Sequence, residues 1–396
     1  MKIKRNILLV SLIYLFSLFA TAQNNNKTEL LVSGFAFAGN NETKSARFQY
    51  TSSINDDLLK QDSSLSREVV KRLGDSTNPT FKIVSGKTFQ ANNSNDSLNS
   101  VLLLTGETVL IENFGTYWKI FVNIRGDALI FNYKEKSIVK TYPLNLAIFD
   151  AVAGQTKPSS VQIKNLIKEY IFSPKKEGLI SQYVEKLSIA SVNSKGFNKT
   201  FQINSVTIKP DAESGFPDEL KSSLDIEKDI VSDSFSSELS SKTNISLIPP
   251  KYNGAIASMT VQLEDISQQI DLKLGEADYL INIDLNKLAK AKQQQTNTEI
   301  SSIYGVNSSI QIIEPLSQTI YFESVLKNGA VSISPINKIS TDDFPAYYDV
   351  INGLFRKFAL AIKTKDYSWI KVASGNEKIN EQIEQLSNLI EKGKIK

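Results

Sequence analysis

Alternation of apolar and polar residues with period two marks half-buried strands, and recurrence at three- and four-residue spacing marks amphipathic helices. Both patterns occur twice along this chain, in the same order. A strand is predicted over residues 29–37 and another over residues 201–208, where Phe201 and Ile203 alternate with Gln202 and Asn204. A helix follows in each half, carrying Leu65, Val69, Val70 and Leu73 in the first and Phe235 and Leu239 in the second. Each helix runs into a short strand, residues 81–84 or 245–248, and Pro249-Pro250 stops the latter.

The nearest local identity between the halves comes next. Gly106-Glu107-Thr108-Val109-Leu110-Ile111 is similar to Gly275-Glu276-Ala277-Asp278-Tyr279-Leu280-Ile281, an offset of 275 − 106 = 169. Alternating runs follow at Trp118, Ile120, Val122 and Ile124, and at Tyr279, Ile281, Ile283 and Leu285. One polar face on each predicts half-buried antiparallel sheet. Strand pairs are predicted at residues 128–133 with 138–146, and at 309–313 with 319–325. Closing helices carry Ile163, Leu166, Ile167 and Tyr170, then Tyr347, Ile351, Leu354, Phe358 and Ile362. A polar insert at residues 290–302 accounts for most of the growth in offset. The order of elements reads as one unit used twice.

Near the end, Ile379, Ile383, Leu386 and Ile390 form a short seam with 4-3-4 spacing. Such a seam either docks on its own domain or joins two copies of the chain. The reading is α+β: two tandem, similar α/β domains, each with a mostly antiparallel sheet covered by helices, plus a C-terminal helix. The segments are residues 1–22, 23–176, a linker over 177–200, 201–370 and a terminal helix over 371–396.

The first 22 residues read as a cleavable export signal. Lys2, Lys4 and Arg5 form a basic start, residues 7–19 are an apolar core, and Ala20-Thr21-Ala22 is a small-x-small cleavage site. The mature chain is expected to begin at Gln23. Removing three basic residues takes the formal charge from +3 to 3 − 3 = 0. A neutral protein has no electrostatic case for nucleic acid or an anionic membrane surface.

Cysteine and histidine are both absent. The first zero excludes disulfides, thiol chemistry and a lipid-modified cysteine. The second removes the usual general base at neutral pH, histidine-containing triads and histidine–cysteine zinc sites. Carboxylate chemistry and oxygen-ligand cation sites remain open. Neither a Rossmann nor a Walker glycine motif is present, nor a D-x-[DN]-x-[DN]-G calcium loop. Ser-x-x-Lys recurs at Ser137, Ser173, Ser324 and Ser368, as expected by chance in a Ser- and Lys-rich chain, and lacks its partner motifs. The carboxylate pairs Asp56-Asp57 and Asp342-Asp343 are placed at helix starts, where they complement the helix dipole. Phe114 and Tyr117-Trp118 cluster at a Gly115 turn and read as core rings. No catalytic residue, metal ligand or cofactor is assigned.

The second half resembles a group of bacterial envelope domains: the amino-terminal domain of TolB and the periplasmic region of the curli-assembly outer-membrane component. The matching residues are 235–239, 245–249, Ala277-Asp278-Tyr279-Leu280-Ile281, 310–313 and 344–362. Asn282 stands where the pattern has glycine, and Leu316-Ser317-Gln318 where it has a Thr-Gly turn. The resemblance implies a non-catalytic envelope module that binds proteins or assembles into rings. It transfers no site residue. The expectation is therefore a periplasmic or outer-membrane-associated accessory protein contacting envelope or secretion-system components. The alternative is a carbohydrate-binding protein or carboxylate-dependent glycoside hydrolase. The contact faces expected are the strands at Lys119 to Asn123 and Asn282 to Asp284, with the helix around Leu386 as the fallback.

Overall fold

The computed structural model describes residues 27–39, 41–74, 76–85, 98–191, 199–221, 226–249, 258–263, 268–336 and 343–392. The export signal, the Gln23 start and Asp342 lie outside the described residues.

The first half runs β1 (Thr28–Ala38), α1 (Asn41–Arg47), α2 (Gln49–Leu59), α3 (Leu65–Leu73), β2 (Phe81–Ser85), β3 (Leu98–Asn113), β4 (Tyr117–Asn132), β5 (Ser137–Ala153), α4 (Ser160–Phe172) and α5 (Leu179–Ile189). The second runs β6 (Thr200–Ile208), α6 (Pro210–Glu213), α7 (Asp218–Lys221), α8 (Ile226–Thr243), β7 (Ser246–Ile248), β8 (Ser258–Leu263) and β9 (Gln268–Lys273). It continues with β10 (Tyr279–Gln295), β11 (Glu299–Glu314), β12 (Thr319–Pro335), α9 (Phe344–Thr364), α10 (Ser368–Ser374) and α11 (Ile379–Lys392).

The α+β reading with two similar domains holds. The strands of the first half lie in the order β2-β1-β3-β4-β5, and those of the second in the order β7-β6-β10-β11-β12. In both, the first strand is parallel to its two neighbours and the last three strands are antiparallel.

The Gly-Glu identity, however, does not align the halves. Leu98 and Tyr279 each open the third strand of their sheet, so equivalent positions differ by 279 − 98 = 181. Gly106 lies within β3, at a register shift where a Cβ would collide with the Arg125 guanidinium. Glu107 accepts hydrogen bonds from the N–H groups of Tyr50 (2.7 Å) and Thr51 (2.8 Å) at the start of α2. Gly275 instead precedes β10 with open space around it. The runs at residues 118–124 and 128–132 are one long strand, β4.

One face of the first sheet is covered by its own helices. Phe35, Phe37, Leu102, Ile124 and Tyr142 meet Ile54, Val69, Ile167 and Tyr183 there. Helix α5, on the segment read as a linker, buries Leu179, Ile180, Tyr183 and Leu187 in this core. Ser159 caps α4 in a reciprocal box with Gln162.

The opposite face of that sheet is covered by the second half in two ways. The β8–β9 hairpin pairs antiparallel with residues 36–38 of β1 and bridges to Ser137 of β5, so the sheet closes on itself. A small core of Ala36, Leu103, Leu129, Phe131, Val261, Ile270 and Leu272 fills the closure. Helix α8 covers the remainder, packed between β5 on one side and β6 and β7 on the other. Ser232, Ser234, Ser236 and Ser240 are buried on α8, and their small size fits a helix approached from more than one side. Helix α9 lies beside α8 and packs on β11 and β12. The resulting layers are helices, sheet, helices, sheet. The seam residues Ile379, Ile383, Leu386 and Ile390 are buried in the second domain's core, so this helix docks on its own domain.

Candidate functional site

The two strand faces expected as contact surfaces have different fates. At Lys119 to Asn123 the structure corrects the expectation. Ile120, Phe121, Val122 and Asn123 are all buried. Ile120 and Val122 point into the first domain's own helical core, while Phe121 points the other way, under the second domain, with its ring 5.2 Å from Phe344 and 5.9 Å from Tyr348 of α9. Lys119, at the end of the run, lies over the Phe114 ring at 5.0 Å.

Polar residues continue this joint along β4. Arg125 Nε lies 2.8 Å from Asp233 Oδ2 on α8. Its Nη1 donates to Thr108 Oγ1 at 3.0 Å and to Asn123 Oδ1 at 3.1 Å. Asn145 Nδ2 donates to Tyr348 OH at 2.8 Å. Burial pushes the neighbouring Asp127 carboxyl up to about 7. Burial pushes the Asp233 carboxyl up, Arg125 at 2.8 Å holds it back toward the charged form, and Asp229 and Asp127 repel its charge. Arg47 and Asp229 also act on one another beside this group. The cluster joins two domains and is nearly closed to solvent. Sequence reasoning missed it, because its members lie on separate elements and form no motif.

Beside the joint, a cleft of about 310 Å³ opens between the domains. Phe121, Phe149, Phe344, Pro217 and Pro345 form part of a largely apolar wall, Glu112 and Lys119 are cross-strand neighbours in it, and Asp150 is a second carboxylate in the lining. Phe149 is 40 % exposed.

The face at Asn282 to Asp284 remains open to solvent on the outer side of the second sheet. Alternation explains it: Tyr279, Ile281, Ile283 and Leu285 point inward and are buried, leaving Leu280, Asn282 and Asp284 on the other side. A ladder of amides crosses four strands there. Asn204 Nδ2 donates to Asn282 Oδ1 (2.9 Å), Asn282 Nδ2 to Gln311 Oε1 (3.0 Å), and Gln311 Nε2 to Glu323 Oε1 (3.1 Å). Asp284 lies 3.7 Å from Lys209. The paired residues Leu280, Ile313 and Ile320 flank the ladder on one side. On the other, β10, β11 and β12 run on as a three-stranded ribbon that includes the insert at residues 290–302. It bears Ile303, 40 % exposed, opposite Val331, 55 % exposed.

Other residues singled out from sequence have structural roles. Asp57 lies near the end of α2, not at a helix start, and pairs with Lys164 at 2.6 Å. Asp343 does stand at the start of α9, but its carboxylate takes Lys290 (2.9 Å) and the Tyr304 hydroxyl (2.5 Å). Phe114 is buried and stacks on Tyr117, and Trp118 is half-buried with its N–H on Gln155 O. In the Ala277-Asp278-Tyr279 motif, Asp278 accepts from the N–H and hydroxyl of Thr200, tying the starts of β6 and β10 together. Among the described residues no group of three or more metal-ligating side chains converges. No helix among them is long and apolar enough to cross a membrane.

No family model matches the chain, and no curated protein does. Among solved structures it is similar to a minor lipoprotein of Acinetobacter baumannii, at 9 % identity over 42 % of this chain and 94 % of that one, with a TM-score of 0.24. It is also similar to a homolog of a neuraminyllactose-binding hemagglutinin from Helicobacter pylori, at 13 % identity, 50 % and 97 % coverage, and a TM-score of 0.27. A hypothetical protein of Chlamydia trachomatis matches at 10 % identity, 43 % and 98 % coverage, and a TM-score of 0.23.

Proposed function

We propose that this is a non-catalytic exported envelope protein, an accessory or scaffold module that holds other envelope or secretion components on the uncovered face of its second sheet. The observation that carries the reading is that face itself. Its amide ladder is held in register by side-chain hydrogen bonds and is flanked by exposed branched apolar residues. A polar centre with apolar margins fits an extended, ordered protein surface, and among the described residues both faces of the first sheet and the inner face of the second are covered. The interdomain cleft does carry two carboxyl groups, Glu112 and Asp150, but Lys119 stands directly across from Glu112 and the rest of the wall is apolar, so the sheet face is favoured over the glycoside-hydrolase alternative. The export reading of residues 1–22 and the resemblance to envelope domains support the compartment.

The test is site-specific photocrosslinking in the native envelope. A photoreactive residue replacing Gln311 is expected to give a defined adduct, and one replacing exposed Leu59 on the helical side of the first domain is not. Equal labelling from both positions, or none from Gln311, rejects the face.

A further inference from the structure

The second sheet ends in a strand whose outer edge is capped along one part and bare along another. Backbone geometry identifies which groups face that edge. Ile336 N–H donates inward to Thr298 O of the neighbouring ribbon at 2.9 Å. Glu323 N–H points the other way and is taken by Gln382 Oε1 of α11 at 3.2 Å. Pairing between β11 and β12 is regular from Phe322 to Pro335, so odd-numbered residues present N–H and C=O to the outer edge. Beyond Lys327 these are Gly329, Val331 and Ile333, and among the described residues no strand pairs with them.

Natural sheets protect such edges with charges, prolines or bulges. From Asn328 to Ile336 the sequence has no charged residue. Val331 and Ile333 are 55 % and 64 % exposed. The stretch is self-complementary about Val331. In antiparallel pairing with its own copy, Val331 meets the partner's Val331, and Ile333 meets the bare Cα of the partner's Gly329. Lys327 falls opposite the partner's Pro335, so no like charges oppose. Proline has no N–H, which ends the ladder at that point. On the other side of the strand, Asn328 and Ala330 meet the serines at 334 and 332.

We propose that this edge of β12 is a homodimer contact, pairing antiparallel with the same strand of a second copy on a two-fold axis at Val331. The two five-stranded sheets then become one continuous sheet. Each edge-facing pair exchanges two backbone hydrogen bonds, and the apolar outer side chains on both copies lose contact with water. A two-fold axis needs a surface that matches itself, as this one does. The contact does not depend on the amide-ladder face, which stays open beside it.

Two measurements on the full chain test this. Sedimentation velocity across a dilution series is expected to show a monomer–dimer equilibrium, shifted to monomer by Val331→Lys, with the melting temperature unchanged. The chain has no cysteine, so a single introduced thiol reports position. Val331→Cys is expected to form a disulfide-linked dimer on mild oxidation, because the paired Cα atoms lie within disulfide reach, and Ile320→Cys on the same sheet face is not. A wild type that is monomeric at every concentration overturns the proposal. So does a dimer that crosslinks equally through both cysteines, which would place the contact elsewhere. If Val331→Lys fails to fold, the cysteine pair decides alone.

Discussion

Arg125 on β4 and Asp233 on α8 form a 2.8 Å ion pair that ties one domain to the other. The Arg125 side chain is 8 % exposed, so its charge relies on this partner and on Thr108 and Asn123. Removing one partner of a buried pair leaves the other charge uncompensated and costs about 3–5 kcal/mol. Asp233→Ala is expected to lose stability on that scale in chemical denaturation. Asp233→Ala combined with Arg125→Met is expected to recover much of it. An additive double variant would show that the pair does not couple the domains.

The same joint predicts a pH dependence. Burial raises the Asp127 carboxyl to about 7, so the folded state holds this proton more tightly than the unfolded chain does. Its contribution to stability is complete below the ordinary aspartate pKa and is lost as pH rises through about 7. Thermal melts from mild acid to mild alkali are expected to fall more steeply for the wild type than for Asp127→Asn. Identical slopes would show that Asp127 titrates normally in the fold.

The element order was legible because most strands and helices bury one face and therefore carry a clean period. The joint was not. Helix α8 is packed from more than one side, so Ser232, Ser236 and Ser240 stand where an amphipathic pattern would have polar surface, and only Phe235 and Leu239 stand out. Residues 118–124 read correctly as a strand, but alternation cannot say that Asn123 and Arg125 lie under another domain instead of under water. The Gly106 and Gly275 identity misled for a related reason. One glycine makes room for a guanidinium and the other precedes a strand, and a short match records neither context.

The β8–β9 hairpin, which had no signature in the sequence reading, closes a sheet built by the other half of the chain. Leu272 is fully buried in the small core with Leu129 and Phe131. Leu272→Ala is expected to cost about 2–5 kcal/mol, as large-to-small core changes do. Hydrogen exchange is expected to quicken at residues 36–38, which pair with the hairpin, although they lie far away in sequence. Exchange that changes only within the second sheet would contradict the closure.

Gly34 is where strand β1 bulges toward helix α3. Its φ is +87°, and a Cβ there would come within 2.5 Å of Ser66 Cβ. Ser66 Oγ holds the strand by accepting from Phe35 N–H at 3.0 Å. Gly34→Ala therefore combines backbone strain with a collision, and is expected to destabilise by more than about 1 kcal/mol. A melting temperature equal to that of the wild type would mean that α3 can move off the strand without loss.

Asp284 separates the stability of the second sheet from its use. It stands on the open face, is half-exposed, and touches only the flexible end of Lys209, at 3.7 Å, as a charge partner. No core residue depends on it, so Asp284→Lys is expected to stay within about 0.5 kcal/mol of the wild type. A partner held on the face would meet a reversed charge beside the amide ladder, and opposed charges at an interface slow encounter and weaken binding. The crosslink from Gln311 is therefore expected to fade in the Asp284→Lys background while the melting temperature holds. Lys119→Glu makes the contrast: Lys119 borders the cleft between the domains, across from Glu112. That change sets two acidic groups against each other at the joint and is expected to leave the Gln311 adduct intact. An adduct lost through Lys119→Glu and kept through Asp284→Lys would move the contact from the sheet face to the cleft.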